Sequence, residues 1–492
     1  MPLNILFVSS EVEPFAKTGG LADVSGALPQ AIKELGHEIR IIMPKYRSVD
    51  ERKLHLHEVL RLKEIDIPIG QEIERASVKS YILANTGAKI QVYFLANDPL
   101  YNRSGLYTNS ENHKDYADND KRFIFFCRGV LETLKRLGWR PDIIHCNDWQ
   151  TGLIPAYLKT LYQSDAFFQK VRTIFTIHNM AYQGSFPRSS FLKTRLPEEL
   201  FAPEGVEFYG NFNFLKAGLV YADIITTVSE KYAQEIQSSD EYGCGMSGIL
   251  QKRTSDVYGI LNGIDQSVWN PETDSLIPQK YDARNLDGKT ANKIELLRRF
   301  NLENREGIPV IGCISRLAEQ KGFDLIGQIA DDLLKLDIQF VLLGTGEKKY
   351  HDLFEALQKR FPQKFGAYLG FSNELAHIIE AGSDMFLMPS RYEPCGLNQM
   401  YSLRYGTIPI VRATGGLDDT IEDYDPESGN GSGFKFSDYD AKELLRTIER
   451  SLTVYANKPA WQRMIKQAMQ KDFSWESSAR KYIALYKNLL KH

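Results

Sequence analysis

Short apolar runs alternate with stretches of helical periodicity along most of the chain, and each pair reads as a strand followed by a helix. Ile5–Ser9 is a buried strand. Leu21, Val24, Leu28, Ile32 and Leu35 then line one helix face, and Gly36 stands where a left-handed residue would end it. The next strand is Ile39–Met43, with later ones at Ile143–Cys146, Thr173–Ile177 and Asp223–Val228. A second series follows at Val310–Ile314, Phe340–Leu343, Ala367–Leu369, Asp384–Met388 and Ile408–Val411. Between the series, Asn270–Gly307 is polar, with one short helix near Ile294–Phe300. The final stretch, Trp461–Leu490, reads as helix, with Trp475, Tyr482, Leu485 and Leu489 available for packing. The expected fold class is α/β: two domains, 1–260 and 261–465, joined by a hinge around Val257–Gly263 and separated by a cleft.

The length of 492 residues exceeds what one core usually serves, which agrees with two domains. A net charge of -3 gives no electrostatic attraction to nucleic acid or anionic membrane, so neither is an expected partner. Five cysteines are scattered without a C-x-x-C pair, which suits a reducing compartment and speaks against a disulfide framework or structural zinc. No apolar stretch approaches a membrane span and no leader peptide is evident at the start. A cytoplasmic location is expected, or a plastid if a transit peptide was removed.

Open α/β sheets bind ligands beyond the carboxyl ends of their strands, so the residues following each strand carry the argument. After the first strand comes Glu11-Val-Glu-Pro-Phe-Ala-Lys17-Thr18-Gly19-Gly20-Leu21-Ala22-Asp23, which is neither a dinucleotide fingerprint nor a phosphate loop of the G-x-x-x-x-G-K-[ST] type. Gly19-Gly20 opens a helix beside Lys17, which suits a phosphate or a developing leaving-group charge; a turn with a solvated lysine is the other reading. Tyr101–Asn119, rich in Tyr and Asn, reads as an exposed polar loop, with contact to a bound acceptor as the other reading. Asn147, Asp148, Trp149 and Gln150 follow Ile143–Cys146, and His178 and Asn179, then Tyr182-Gln183-Gly184, follow Thr173–Ile177. Polar groups beside aromatic rings are what sugar recognition requires. In the second half, Arg316 and Lys321 lie five residues apart after a strand and can converge on a diphosphate, or can be solvated loop cations. Gly344-Thr345-Gly346 and Thr414-Gly415-Gly416 reach the same edge. After Asp384–Met388, Glu393 can accept from sugar hydroxyls, and the amides of Gly396 and Leu397 begin a helix that could hold phosphate oxygens. Cys395 has no histidine partner nearby in sequence, so packing or sugar contact suits it better than a nucleophile's role. Metal chemistry is weak: Asp118-Asn-Asp120, Asp423-Tyr-Asp425 and Asp438-Tyr-Asp440 lie in polar stretches, and the histidines never fall in H-x-x-x-H or H-E-x-x-H order.

Taken in order, Lys17-Thr-Gly-Gly-Leu, His145-Cys-Asn-Asp-Trp, His178-Asn, Leu261-Asn262-Gly263-Ile264-Asp265, Ser315-Arg316, Tyr392-Glu393-Pro-Cys-Gly and Thr414-Gly-Gly-Leu closely resemble bacterial glycogen synthases and plant-type starch synthases over essentially the whole chain. The resemblance implies a GT-B fold, two Rossmann-like domains facing across a cleft, with a C-terminal helix, 466–492, crossing back to the first. It implies retaining transfer of glucose from ADP-glucose to the non-reducing end of an α-1,4-glucan (glycogen, starch or maltooligosaccharide), with ADP-glucose as co-substrate and no metal or other cofactor. By the same implication, Lys17, Gly19, Gly20 and Asp23 meet the donor from the first domain, and Arg316 and Lys321 meet its phosphates from the second. Glu393, Cys395, Gly396 and Leu397 hold the glucose and phosphate, and His178, Asp148 and Asn262 surround the reacting centre. Two positions depart from the pattern: Tyr401 stands where related retaining enzymes often have a second glutamate, and Gln150 where relatives often have histidine.

The chemistry expected is front-face substitution, in which Arg316 and Lys321 stabilise the departing ADP and a donor phosphate oxygen takes the acceptor proton. The alternatives are a sucrose-type or UDP-glucose transferase of the same fold, a pyridoxal-phosphate-dependent glucan phosphorylase, and a silent glucan-binding scaffold. The Lys17-Thr-Gly-Gly-Leu opening disfavours the first, and the cation set disfavours the last.

Overall fold

The computed structural model describes residues 2–85 and 88–491. It forms two compact units: one holds the chain up to Val228, Ala233–Gly263 and Trp475 onward, the other Ser229–Tyr232 and Ile264–Ser474. Apart from the short excursion Ser229–Tyr232, the chain changes unit at Gly263/Ile264 and at Ser474/Trp475, against the sequence-based boundaries 260/261 and 465/466. Val257–Gly259, assigned above to the hinge, is instead the edge strand of the first sheet, parallel to Ile224–Thr227. Three residues are too few to carry a readable alternation.

The first sheet has ten strands. Asn4–Val8 lies in its parallel part, between Glu38–Pro44 and Ile143–Asn147. Beyond Glu38–Pro44 comes Ala88–Ala96, and beyond Ile143–Asn147 come Arg172–Ile177, Ile224–Thr227 and Val257–Gly259. Strand order thus reverses between Asn4–Val8 and Ile143–Asn147, the switch point at which doubly wound sheets open a ligand crevice. Burial explains the run-like sequence: all five residues of Ile143–Asn147 are buried, as expected of a parallel strand covered on both faces. The outer edge departs from the parallel expectation, because Glu72–Asn85 pairs antiparallel with Ala88–Ala96, with His57–Glu58 and with Ile65–Ile69.

Helix Gly20–Glu34 buries Leu21, Val24, Leu28 and Ile32, and Gly36 adopts the left-handed conformation at φ 88°. The helical tail is broken: Lys458–Met469 ends before Trp475–Leu489 begins, and the latter packs on Gly20–Glu34. A buried polar chain ties it to the sheet, with His145 Nδ1 2.7 Å from the Tyr486 hydroxyl, His145 Nε2 2.6 Å from Thr176 Oγ1, and Thr176 Oγ1 2.6 Å from Thr226 Oγ1.

The second sheet has six strands, all parallel. Val310–Ile314 is flanked on one side by Gln339–Gly344 and Phe365–Leu369, and on the other by Met385–Met388, Ile408–Arg412 and Phe434–Phe436. Its switch point falls between Val310–Ile314 and Met385–Met388. The polar segment 270–307 belongs to this unit; Ile277 and Tyr281 enter its core, and its helix is longer than expected, Asp287–Arg299.

Candidate active site

In the first unit, the strand Asn4–Val8 delivers Glu11, not among the site residues expected from sequence, to the switch point. Its carboxylate is buried and gathers the loop that follows. Oε2 accepts from the Thr18 amide (2.5 Å) and the Gly19 amide (3.3 Å); Oε1 accepts from Thr18 Oγ1 (2.7 Å) and the Tyr107 hydroxyl (2.8 Å). Tyr107 also lies 2.7 Å from Ser10 Oγ, so the loop 101–119, read from sequence as exposed and polar, is pinned to this carboxylate. Thr18 and Gly19 are thereby fixed at the start of helix Gly20–Glu34, and a Cβ at Gly19 or Gly20 would meet nothing within 4 Å. The open backbone there can admit an anion. Lys17 is exposed and paired with Asp23 at 2.6 Å. An ammonium has three donors, so this pair leaves two for other acceptors.

Asp148 follows Ile143–Asn147 at φ 55°, a conformation uncommon outside glycine. Its Oδ1 accepts from the His178 amide at 2.7 Å. Burial raises the Asp148 carboxyl to about 7, with the nearby Glu11 charge pushing the same way. His178 Nε2 lies 3.0 Å from Asn147 Oδ1, and Asn147 Nδ2 donates to the Val8 carbonyl. Nε2 is therefore the protonated nitrogen. Burial lowers the imidazole to about 3, so His178 is neutral at physiological pH and serves by hydrogen bonding. Asn262 is buried, and its Oδ1 has no hydrogen-bond partner among the described residues. Trp149, offered above as a sugar-facing ring, is instead buried against Phe123, Phe186 and Phe214. Gln150 is buried too. The ring that faces solvent in this segment is Tyr182.

In the second unit, Lys321 and Glu393 meet: Lys321 Nζ donates to Glu393 Oε2 at 2.6 Å, and Ser390 Oγ donates to the same oxygen at 3.1 Å. Glu393 is buried, whereas Lys321 keeps about a fifth of its side-chain surface. The two loops are locked by backbone contact, since a Cβ on Gly322 (φ 76°) would stand 2.0 Å from the Pro389 carbonyl. Arg316 is exposed, with one long contact to Gln320 Oε1 at 3.4 Å. Gly416 closes on the Glu393 loop from the next strand; its amide donates to the Glu393 carbonyl at 3.1 Å, and a Cβ there would lie 1.9 Å from the Cys395 carbonyl. Gly396 is left-handed at φ 69°, Leu397 caps the helix Asn398–Arg404, and Cys395 is buried beside them. Tyr401 stacks on Trp269 at 4.0 Å, and Trp269 stacks on His377 at 3.9 Å. That position is thus committed to packing.

The D-x-D carboxylates are engaged elsewhere: Asp118 with Arg103, Asp120 with Lys193, Asp423 with Arg450, and Asp440 as a helix cap. Among the described residues no disulfide joins the cysteines, and no helix is long and apolar enough to cross a membrane.

A family model described as the starch synthase catalytic domain matches residues 4–252, and one for glycosyl transferases group 1 matches 296–471. The chain is 46% identical to a glycogen synthase of Desulforudis audaxviator, covering 99% of this chain and 97% of that one. It is 48% identical to a glycogen synthase of Koribacter versatilis, covering 98% of each. The chain belongs to the glycogen and starch synthase family. Among solved structures it is similar to the catalytic domain of starch synthase IV from Arabidopsis thaliana, with a TM-score of 0.89 and 33% identity over the whole of both chains. A sucrose-phosphate synthase from Thermosynechococcus elongatus, at 17% identity and a TM-score of 0.57, shares the fold. The fold is GT-B, and the chain is a glucosyltransferase of glycogen or starch synthesis. Glu393 lies in the Tyr-Glu-Pro-Cys-Gly motif, whereas Glu11 is gathered by the fold, which brings Thr18, Gly19 and Tyr107 around it.

Proposed function

We propose that this glycogen synthase relative transfers glucose from ADP-glucose to the 4-hydroxyl at the non-reducing end of an α-1,4-glucan, with retention and without a metal. The observation that carries the reading is the Lys321–Glu393 pair at the second sheet's switch point, with Arg316 earlier in the same loop as Lys321. A buried carboxylate suits sugar hydroxyls, and the adjoining cations suit a diphosphate. The solved starch synthase IV that the chain resembles holds ADP and acarbose, which supports the nucleotide and the glucan class.

In this reading Arg316 and Lys321 stabilise the phosphate charge as the C1–O bond to ADP breaks. Lys321 can do so while keeping one N–H on Glu393. In the first unit, Lys17 and the Gly19–Gly20 amides are donors suited to phosphate, with Asp23 orienting Lys17. The acceptor oxygen bonds C1 from the leaving-group face, and its proton passes to a phosphate oxygen of the departing ADP. Asp148 holds the His178 backbone, and the neutral His178 and buried Asn262 provide hydrogen bonds to the glucosyl group. Cys395, Gly396 and Leu397 contribute close backbone approach to sugar and phosphate. The cations and helix ends take the part a magnesium ion plays in other nucleotide-sugar enzymes. We place the chain in the cytoplasm.

The test is glucose incorporation into glycogen from ADP-glucose and UDP-glucose side by side, with and without EDTA. Transfer from ADP-glucose that EDTA leaves unchanged is expected; preference for UDP-glucose, or loss of activity with EDTA, would overturn the donor or the metal-free scheme respectively.

A further inference from the structure

We propose that Tyr209, at the tip of a pinned hairpin in the first unit, is a stacking platform for the glucan acceptor, with Tyr182 and Gln183 beside the same hairpin's base. The inference rests on the glucan-transfer reading and names a residue for it that no motif contains.

The hairpin pairs Glu207 with Phe212 and Phe208 with Asn211, which leaves Tyr209 and Gly210 as its two turn residues. Both have positive φ, 48° and 79°. A two-residue turn of this kind favours Asn-Gly, because asparagine tolerates the left-handed conformation and a bulky ring does not. The ring gains no burial in return: Tyr209 is 80% exposed. A strained residue whose side chain adds nothing to the core points to use at the surface.

The ring is nevertheless held. It packs edge-on against Phe208 at 4.6 Å, and below it Gly245 leaves room that a side chain would take, since a Cβ there would stand 3.0 Å from Phe208 and 3.5 Å from the Tyr209 ring. The Gly210 amide donates to Glu207 Oε1 at 2.5 Å. At the base, the buried Lys216 ammonium donates to the carbonyls of Pro203 and Glu207, each at 2.5 Å. The hairpin is thus a rigid mount.

Its second strand ends at Asn213, whose Nδ2 donates to Gln183 Oε1 at 3.1 Å; Gln183 Nε2 in turn donates to the Cys244 carbonyl at 3.0 Å, next to Gly245. Gln183 follows His178 and Asn179 closely in sequence, and its neighbour Tyr182 is 52% exposed. The network therefore connects the residues after strand Arg172–Ile177 to Tyr209. The exposed Tyr209 ring suits the C–H face of a glucose unit, and Tyr182 offers a second exposed ring.

The decisive variant is Tyr209→Asn, which fits the turn better than the native residue and so preserves the fold. The expected result is an acceptor KM for maltoheptaose raised about fivefold, weaker retardation in glycogen-containing native gels, and an unchanged ADP-glucose KM and kcat at saturating acceptor. Tyr209→Phe should keep wild-type acceptor KM, because it keeps the ring. Wild-type acceptor KM and gel retardation in Tyr209→Asn would overturn the inference alone, as would a change in oligomeric state, which would assign Tyr209 to contact between copies. Failure of the unaltered enzyme to extend or bind glucan would overturn the functional reading, and this inference with it.

Discussion

Replacing Glu11 with alanine should slow the enzyme without touching any residue of the family motifs. Four donors converge on this buried carboxylate: the Thr18 and Gly19 amides on one oxygen, the Thr18 and Tyr107 hydroxyls on the other. Hydrogen bonds to a charged group are worth about 1.5–3 kcal/mol each, but the four share one carboxylate and water can enter the vacated space in Glu11→Ala. A net cost of about 3 kcal/mol to the loop 17–20 is therefore reasonable. Glu11→Gln is the informative control. The amides can only donate, so the Gln oxygen must face them, whereas hydroxyls can accept, so its NH2 can face Thr18 and Tyr107. The geometry survives and the charge is lost, at a cost of about 1 kcal/mol. Hydrogen exchange of the Thr18 and Gly19 amides reads the loop directly; about 3 kcal/mol corresponds to exchange about a hundredfold faster in Glu11→Ala. The turnover number should fall by about tenfold or more in Glu11→Ala and by less than about fivefold in Glu11→Gln. Native exchange rates together with native turnover in Glu11→Ala would refute the reasoning.

Arg316→Ala should lower kcat by about a hundredfold, with a smaller rise in the ADP-glucose KM, because the guanidinium acts on charge that develops as ADP leaves; steady-state kinetics over both substrates checks it. Asp148 is held protonated to about pH 7 by burial, against an ordinary carboxyl value of 3.8, so between roughly pH 4 and 7 the folded chain keeps a proton the unfolded chain has lost, and stability falls as pH rises through that window. Asp148→Asn cannot ionise and can still accept from the His178 amide; its stability relative to the native enzyme should rise from pH 5 to 8, by at most about 1.4 kcal/mol per pH unit, in denaturant titrations at each pH. Gly416→Ala places a methyl group against the Cys395 backbone at 1.9 Å, and should destabilise the second unit by about 2–3 kcal/mol with loss of activity, seen in the thermal transition and the transfer assay.

Much of the parallel architecture was legible because buried parallel strands are uninterrupted apolar runs: Val310–Ile314 has the bounds its sequence suggests, and Arg172–Ile177 differs by one residue. Glu72–Asn85 was not legible, since its polar and apolar residues alternate only in part and Lys79 lies among them as an ion-pair partner of Glu51. The tail from Trp461 reads as one helix because the break between Met469 and Trp475 contains neither proline nor glycine. For the site, strand ends indicated Arg316, Lys321, Glu393, Asp148 and His178, because the chemistry of open sheets collects there. The Lys321–Glu393 pair spans 72 residues and could not be read from spacing. Glu11 and Tyr107, 96 residues apart, were missed for the same reason; the available signal was a carboxylate closely following the first strand, at the switch point. Trp149 was misplaced because an aromatic ring beside polar groups looks the same in sequence whether it faces a sugar or, as here, three phenylalanines.

The most direct test of the account is the product of one turnover. With ADP-glucose carrying a labelled glucosyl group and a short maltooligosaccharide as acceptor, mass spectrometry and proton NMR identify what is added, where, and with which configuration. The account predicts a chain one glucosyl unit longer, labelled at its non-reducing end, with an α-1,4 linkage and no label left on the protein. A β linkage, label at the reducing end, a stable glucosyl-enzyme adduct, or no extension from ADP-glucose would contradict it.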